Sequence, residues 1–91
     1  MRVRDLLSDE TKWCQGSYAR DGDDCPTPAR SPRAVRWCLV GACHKAYQRR
    51  EQLKASLRKL QARVSGPISA WNDAPARTFA EVRQVIEELD L

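Results

Sequence analysis

Leu53, Leu57, Leu60 and Val64 recur at steps of four, three and four, in a stretch whose other positions are mostly charged or small. That narrow apolar stripe has the period of an α-helix lying on a surface, one side dry and the rest wet. Ser65-Gly66-Pro67 then closes the pattern with glycine-then-proline punctuation. The wet faces of this helix carry Arg49, Arg50, Lys54, Arg58, Lys59 and Arg63. Between residues 30 and 63 ten Lys/Arg face one acid, Glu51, a balance of +9; residues 1–29 carry −2 and residues 64–91 carry −3. The net charge of +4 therefore conceals a cationic middle between acidic ends. Such asymmetry points to a polyanion or an acidic protein surface as partner.

Other segments punctuate themselves in the same way. Val3-Arg-Asp-Leu-Leu is short and amphipathic, and Ser8-Asp9-Glu10 suits the start of one or two helical turns ending near Trp13. Asp21-Gly22-Asp23-Asp24 is a turn signal, and Cys25-Pro-Thr-Pro favours extended backbone, so a two-stranded hairpin is expected over about 15–27. Ser31-Pro32 opens a second helix, predicted over Arg33–Tyr47. It would bury Val35, Cys38, Leu39, Ala42 and Ala46, with Arg33 and Arg36 opposite. Gly41 inside it costs about 1 kcal/mol relative to alanine, which calls for a close helix–helix approach. Ile68 to Pro75 reads as a connector, and Thr78 with Glu81 forms a capping box before a last helix burying Phe79, Val82, Val85, Ile86 and Leu89. Trp13, Trp37 and Trp71 are expected as aromatic pillars of the core, one per segment. The fold class is mostly α (α+β): about four helices, with a small β-hairpin between the first and second.

Ninety-one residues form a single small domain, 1–91, with one modest core and little room for a deep substrate cavity. Hydrophobic residues at 42% and charged residues at 31% fit a globular chain rather than a disordered one. No apolar run approaches the ~20 residues that span a bilayer, and the N-terminus lacks a secretory apolar stretch. A cytoplasmic protein with reduced cysteines and no membrane partner is expected.

The cysteines do not make a metal centre by spacing: neither Cys14 with Cys25 nor Cys38 with Cys43 is a CxxC pair. On one helix Cys38 and Cys43 diverge by about 140° and Cys43 and His44 by about 100°. No thiol–imidazole dyad oriented by Asn72 or Asp73 follows from that geometry. Neither metal nor cofactor is expected, and the chain reads as a non-enzyme. The Trp71-Asn72-Asp73 string favours a structural role, its amide and carboxylate satisfying backbone groups. The binding candidates are Arg33, Arg36, Arg49, Arg50, Lys54, Arg58, Lys59 and Arg63. Tyr18 and Arg20 on the hairpin, with Asn72 and Asp73, form a secondary set.

Three strings carry a resemblance: Trp13-Cys-Gln-Gly-Ser-Tyr-Ala-Arg-Asp21, Ala34-Val-Arg-Trp-Cys-Leu-Val-Gly-Ala42, and Ile68-Ser-Ala-Trp-Asn-Asp-Ala-Pro-Ala-Arg-Thr-Phe-Ala-Glu-Val82. Their order and spacing resemble a family of small uncharacterised proteins from bacteria and their phages. The resemblance implies a fold and an origin, without an activity, and residues 47–64 lie outside its motifs. Small phage proteins often act as stoichiometric inhibitors of host defence complexes, CRISPR effectors among them, and the analogy of origin and size extends that expectation to this chain. The function expected is thus a small non-enzymatic phage or prophage protein that binds, and inhibits, a host nucleoprotein complex through its basic helical face. Low-specificity DNA or RNA binding is the alternative, and a cysteine-dependent enzyme or zinc protein the second.

Overall fold

The computed structural model describes residues 1–91. Five helices surround a small sheet: α1 (Val3–Leu6), α2 (Leu39–Ala46), α3 (Arg50–Arg63), α4 (Ile68–Asp73) and α5 (Phe79–Glu88). A single 3₁₀ turn, Glu10–Lys12, follows α1. The strands are β1 (Ala19–Arg20), β2 (Pro26–Thr27) and β3 (Arg36–Trp37), antiparallel in the order β2-β1-β3. The α+β class read from the sequence is the class observed.

The hairpin forms where turn chemistry placed it. Ala19 lies opposite Thr27 and Arg20 opposite Pro26. The Asp21 carboxylate accepts from the backbone N–H groups of Asp23 (2.9 Å) and Cys25 (3.0 Å), which folds the chain back.

The other edge of β1 is where the sequence-based expectation fails. The predicted helix over Arg33–Tyr47 loses its first six residues to a turn and to β3, and α2 begins only at Leu39. A turn at Ser31–Ala34, with Ala34 N–H bonded to Ser31 O at 3.1 Å, uses the Ser-Pro opening. Arg36 and Trp37 then pair with Arg20 and Ala19. The backbone groups of this stretch find distant partners: Val35 N–H on Arg20 O (2.9 Å), Cys14 N–H on Trp37 O (3.1 Å) and Cys38 N–H on Tyr18 O (3.2 Å). Burial of Trp37 and the bond from its indole N–H to Ala29 O (3.0 Å) hold the strand in place. Long-range bonds and an indole anchor outweigh local helix spacing here. Val35, expected in the core, is left 42% exposed.

Cys38 caps α2, its Sγ accepting from Gly41 N–H at 3.3 Å. Gly41 does sit at a close approach, though against a loop rather than a helix. A β-carbon there would lie 1.8 Å from Tyr18 O, so α2 touches the backbone leading into β1. The helix α3 starts and stops where its stripe does, with Leu60 fully buried and Leu53 and Leu57 half-buried. A second correction concerns Ile68–Asp73, expected as connector and found as the helix α4. The capping box of α5 is present: Glu81 N–H donates to Thr78 Oγ1 (3.2 Å), and Thr78 N–H to Glu81 Oε1 (3.0 Å). Val3, Leu7, Leu39, Ala42, Leu60, Val82 and Ile86, contributed by every helix but α4, are fully enclosed at the centre. Trp13 packs on Phe79 at 6.3 Å between ring centroids, and Trp71 lies beneath the Arg77 guanidinium at 3.7 Å. No helix is long and apolar enough to cross a membrane.

Four carboxylates are held below their ordinary range by hydrogen bonds or charge. They are Asp9 by the Thr11 hydroxyl, Glu81 by the Thr78 N–H, Glu88 by Arg63, and Asp90 by Arg2. A carboxylate with a lowered folded pKa contributes stability above its unfolded pKa and loses it as pH falls through the folded one. The melting temperature is therefore expected to hold steady from pH 7 to about 5 and to fall progressively below about 4.5. A thermal scan across pH 3–7 checks this, and a melting temperature that rose on acidification would contradict it.

Candidate cationic interface

Arg50, Lys54 and Arg58 are spaced four apart on α3, so each stands about 6 Å further along one line of the helix. All three are exposed, and none lies within ion-pair distance of a carboxylate. Arg49 and Lys59 share both properties. Lys59 borders a depression with Arg2, Tyr47 and Asp90, away from this line.

The acidic ends of the chain are engaged elsewhere. Asp90 holds Arg2 (3.1 Å) and Arg4 (2.6 Å), Glu87 holds Arg83 (3.3 Å), and Glu81 holds Arg77 (2.9 Å). On the hairpin Asp24 holds Arg36 at 3.3 Å. Glu88 alone reaches α3, at Arg63 (2.6 Å). Of the eight basic candidates Arg36 and Arg63 are thus paired, and six remain free. Arg33 is free and exposed but belongs to the turn before β3, not to a helix. The ridge is accordingly shorter than the sequence implied and centred on Arg50, Lys54 and Arg58.

The secondary set divides. Arg20 is half-buried and donates to Asp24 O (2.9 Å) and Gln15 O (3.3 Å), bracing the hairpin from within. Asn72 is wholly buried. Its Oδ1 accepts from Trp13 Nε1–H (2.9 Å) and Leu39 N–H (3.1 Å), and its Nδ2 donates to Cys14 O (3.2 Å) and Asp73 Oδ1 (2.8 Å). Asp73 also accepts from Gly16 N–H at 3.0 Å. These two side chains tie α4 to the Trp13–Gly16 segment and to the start of α2. Tyr18 differs: it is 60% exposed.

The cysteines are free thiols, Cys25 exposed and the other three buried. Burial pushes Cys14 and Cys43 up to about 11, and it raises Cys38 against the opposing pull of the Gly41 and Val40 N–H groups. At neutral pH these three are protonated and weakly nucleophilic. Cys38 caps α2, whereas Cys43 lies within it beside Ser56. No three of His, Cys, Asp and Glu converge as a metal-holding set.

Among known protein families the chain matches a family of unknown function, DUF6197, whose model covers residues 1–89. No curated protein and no solved structure matches the chain significantly.

Proposed function

We propose, for a chain that belongs to the family of unknown function DUF6197, a non-enzymatic binding role in which the α3 ridge docks on an acidic protein surface. The observation that carries this reading is the state of the charges. Five carboxylates of the two flanks are spent on arginines, yet none neutralises Arg50, Lys54 or Arg58. A line of unpaired cations on a helix steers an anionic partner and fixes its register. Along α3 no aromatic ring interleaves with these cations, as a nucleic-acid rail would favour, so carboxylates rather than stacked bases are the better fit. Inhibition of a host defence nucleoprotein complex, in the manner of an anti-CRISPR protein, is the special case in which the acidic surface belongs to such an assembly.

The test is charge reversal at Arg50, Lys54 and Arg58 together. These positions are exposed, so the triple glutamate variant is expected to keep its helical circular dichroism and its melting temperature within a few degrees. Binding of labelled poly-glutamate at about 50 mM salt is expected to fall at least about tenfold, and wild-type affinity to drop steeply with added salt. A triple variant that binds as the wild type does overturns the reading. A 30-base oligonucleotide that shifts in a gel at the same salt, more tightly than poly-glutamate binds, moves the ligand class to nucleic acid.

A further inference from the structure

Tyr18 is the one large aromatic side chain left mostly in solvent, and its backbone is seated against the start of α2. Its carbonyl accepts from Cys38 N–H at 3.2 Å and lies against the bare Cα of Gly41, while the next residue, Ala19, is fully buried between two strands. A ring projected outward from a rigid backbone loses little freedom on binding, which suits it to be an anchor point.

Its surroundings define what it would meet. On one side Tyr18 shares a cleft of about 390 Å³ with Val40, Leu57 and Ile68 on three different helices, and with Arg58 of the ridge at its rim. On another side a depression of about 420 Å³ runs from the ring to Arg30. No carboxylate lines either hollow. The ring therefore stands between two arginines, over walls that combine Val40, Leu57 and Ile68 with Gln61 and Ser69 on one side and His44 on the other. Asp73 borders a third hollow beside the ring, and its Oδ1 accepts from Gly16 N–H and Asn72 Nδ2.

We infer that the Tyr18 cleft receives one bulky apolar side chain from an acidic segment of a protein partner, whose flanking carboxylates run onto Arg58 and the rest of the α3 ridge. The inference rests on the ridge reading above and adds the partner's chemistry: acidic residues interrupted by an apolar anchor. Charge complementarity selects this occupant, because a cleft with aliphatic walls whose only charged lining residue is Arg58 rewards an apolar group carried between carboxylates.

Two labelled peptides separate the inference from the reading it rests on: octaglutamate, and the same peptide with its two central residues replaced by leucine. Each is titrated by fluorescence anisotropy at about 50 mM salt against wild type, Y18A, Y18F and the ridge variant R50E/K54E, which keeps Arg58. The leucine peptide is expected to bind wild type about tenfold more tightly than octaglutamate. Y18A is expected to abolish that difference without changing octaglutamate binding, and Y18F to retain it. R50E/K54E is expected to weaken both peptides. Equal binding of the two peptides to wild type, or a leucine gain that survives Y18A, overturns the cleft while leaving the ridge standing. Failure of R50E/K54E to weaken either peptide overturns the ridge, and the cleft proposal with it. A single-stranded oligonucleotide whose binding depends on Tyr18 when the leucine gain is absent also overturns the inference and makes the ring a base-stacking platform.

Discussion

Gly41→Ala is expected to destabilise the protein by about 3 kcal/mol or more, a loss of roughly 12 °C or more in melting temperature for a domain of this size. In an ordinary helix interior the same change gains about 1 kcal/mol, so the sign itself is diagnostic. The new methyl would sit 1.8 Å from Tyr18 O and 2.7 Å from Tyr18 C, and both are backbone atoms. No rotamer change relieves such a clash. Withdrawal of the loop would break the bond from Cys38 N–H to Tyr18 O, and Cys38 is the residue that caps α2. It would also pull on Ala19, which pairs with both Thr27 and Trp37 and is fully buried. Yielding at this point therefore loosens the helix start and the whole sheet together. A thermal melt followed by far-UV circular dichroism reads the loss. A variant as stable as the wild type would mean that α2 and the strand entry are not in contact.

That contact also marks the boundary of what the sequence makes legible. Elements whose signals are local come through. The Thr78–Glu81 box, the stripe of α3 with its Gly66-Pro67 stop, and the Asp21 turn are each set by bonds or spacing within a few residues. Gly41 announces a close approach, but nothing local says whether helix or loop makes it. The strand β3 is not legible at all. Its formation depends on a vacant edge of β1 and on Ala29 O and Cys14 N–H, groups many residues away, while Val35-Arg36-Trp37 by themselves fit a helix spacing. The short helix α4 escapes for another reason: six residues carry too little periodicity to separate helix from connector.

The candidate site divides along the same line. Exposure of Arg50, Lys54 and Arg58 follows from the stripe opposite them. The removal of Arg36 and Arg63 by Asp24 and Glu88 spans 12 and 25 residues and needs the fold. The acids ending α5 suggest a nearby positive partner, and Glu88 does meet α3, whereas Glu87 turns to Arg83 on its own helix and Asp90 to Arg2 and Arg4 at the opposite end of the chain. The Tyr18 cleft is assembled from four separate segments, so no single stretch betrays it.

Asn72 carries the second large expected effect, and here the direction with pH distinguishes cause. The amide uses every bond it can make in one buried place: two accepted at Oδ1 and two donated from Nδ2. Asn72→Ala would strand the Trp13 indole N–H and the Leu39 N–H, the latter among the fully buried groups at the start of α2. Each buried group left unpaired costs about 1–3 kcal/mol, so a loss of roughly 3 kcal/mol or more is expected, with Trp13 freed from α4. Asn72→Asp preserves the acceptor but replaces the donor with a second carboxylate oxygen, aimed at Cys14 O and at Asp73. Burial and the Asp73 charge would raise the folded pKa of that new acid above its unfolded value. A group so raised contributes stability below its unfolded pKa and loses it as pH rises through the folded one. The aspartate variant should therefore be far less stable than wild type at pH 7 and approach it toward pH 5, before the native carboxylates begin to protonate. Denaturant melts of both proteins at the two pH values measure the gap. A gap of the same size at both would show that the donated bonds are not what Asn72 contributes, and that its place in the fold is a matter of shape alone.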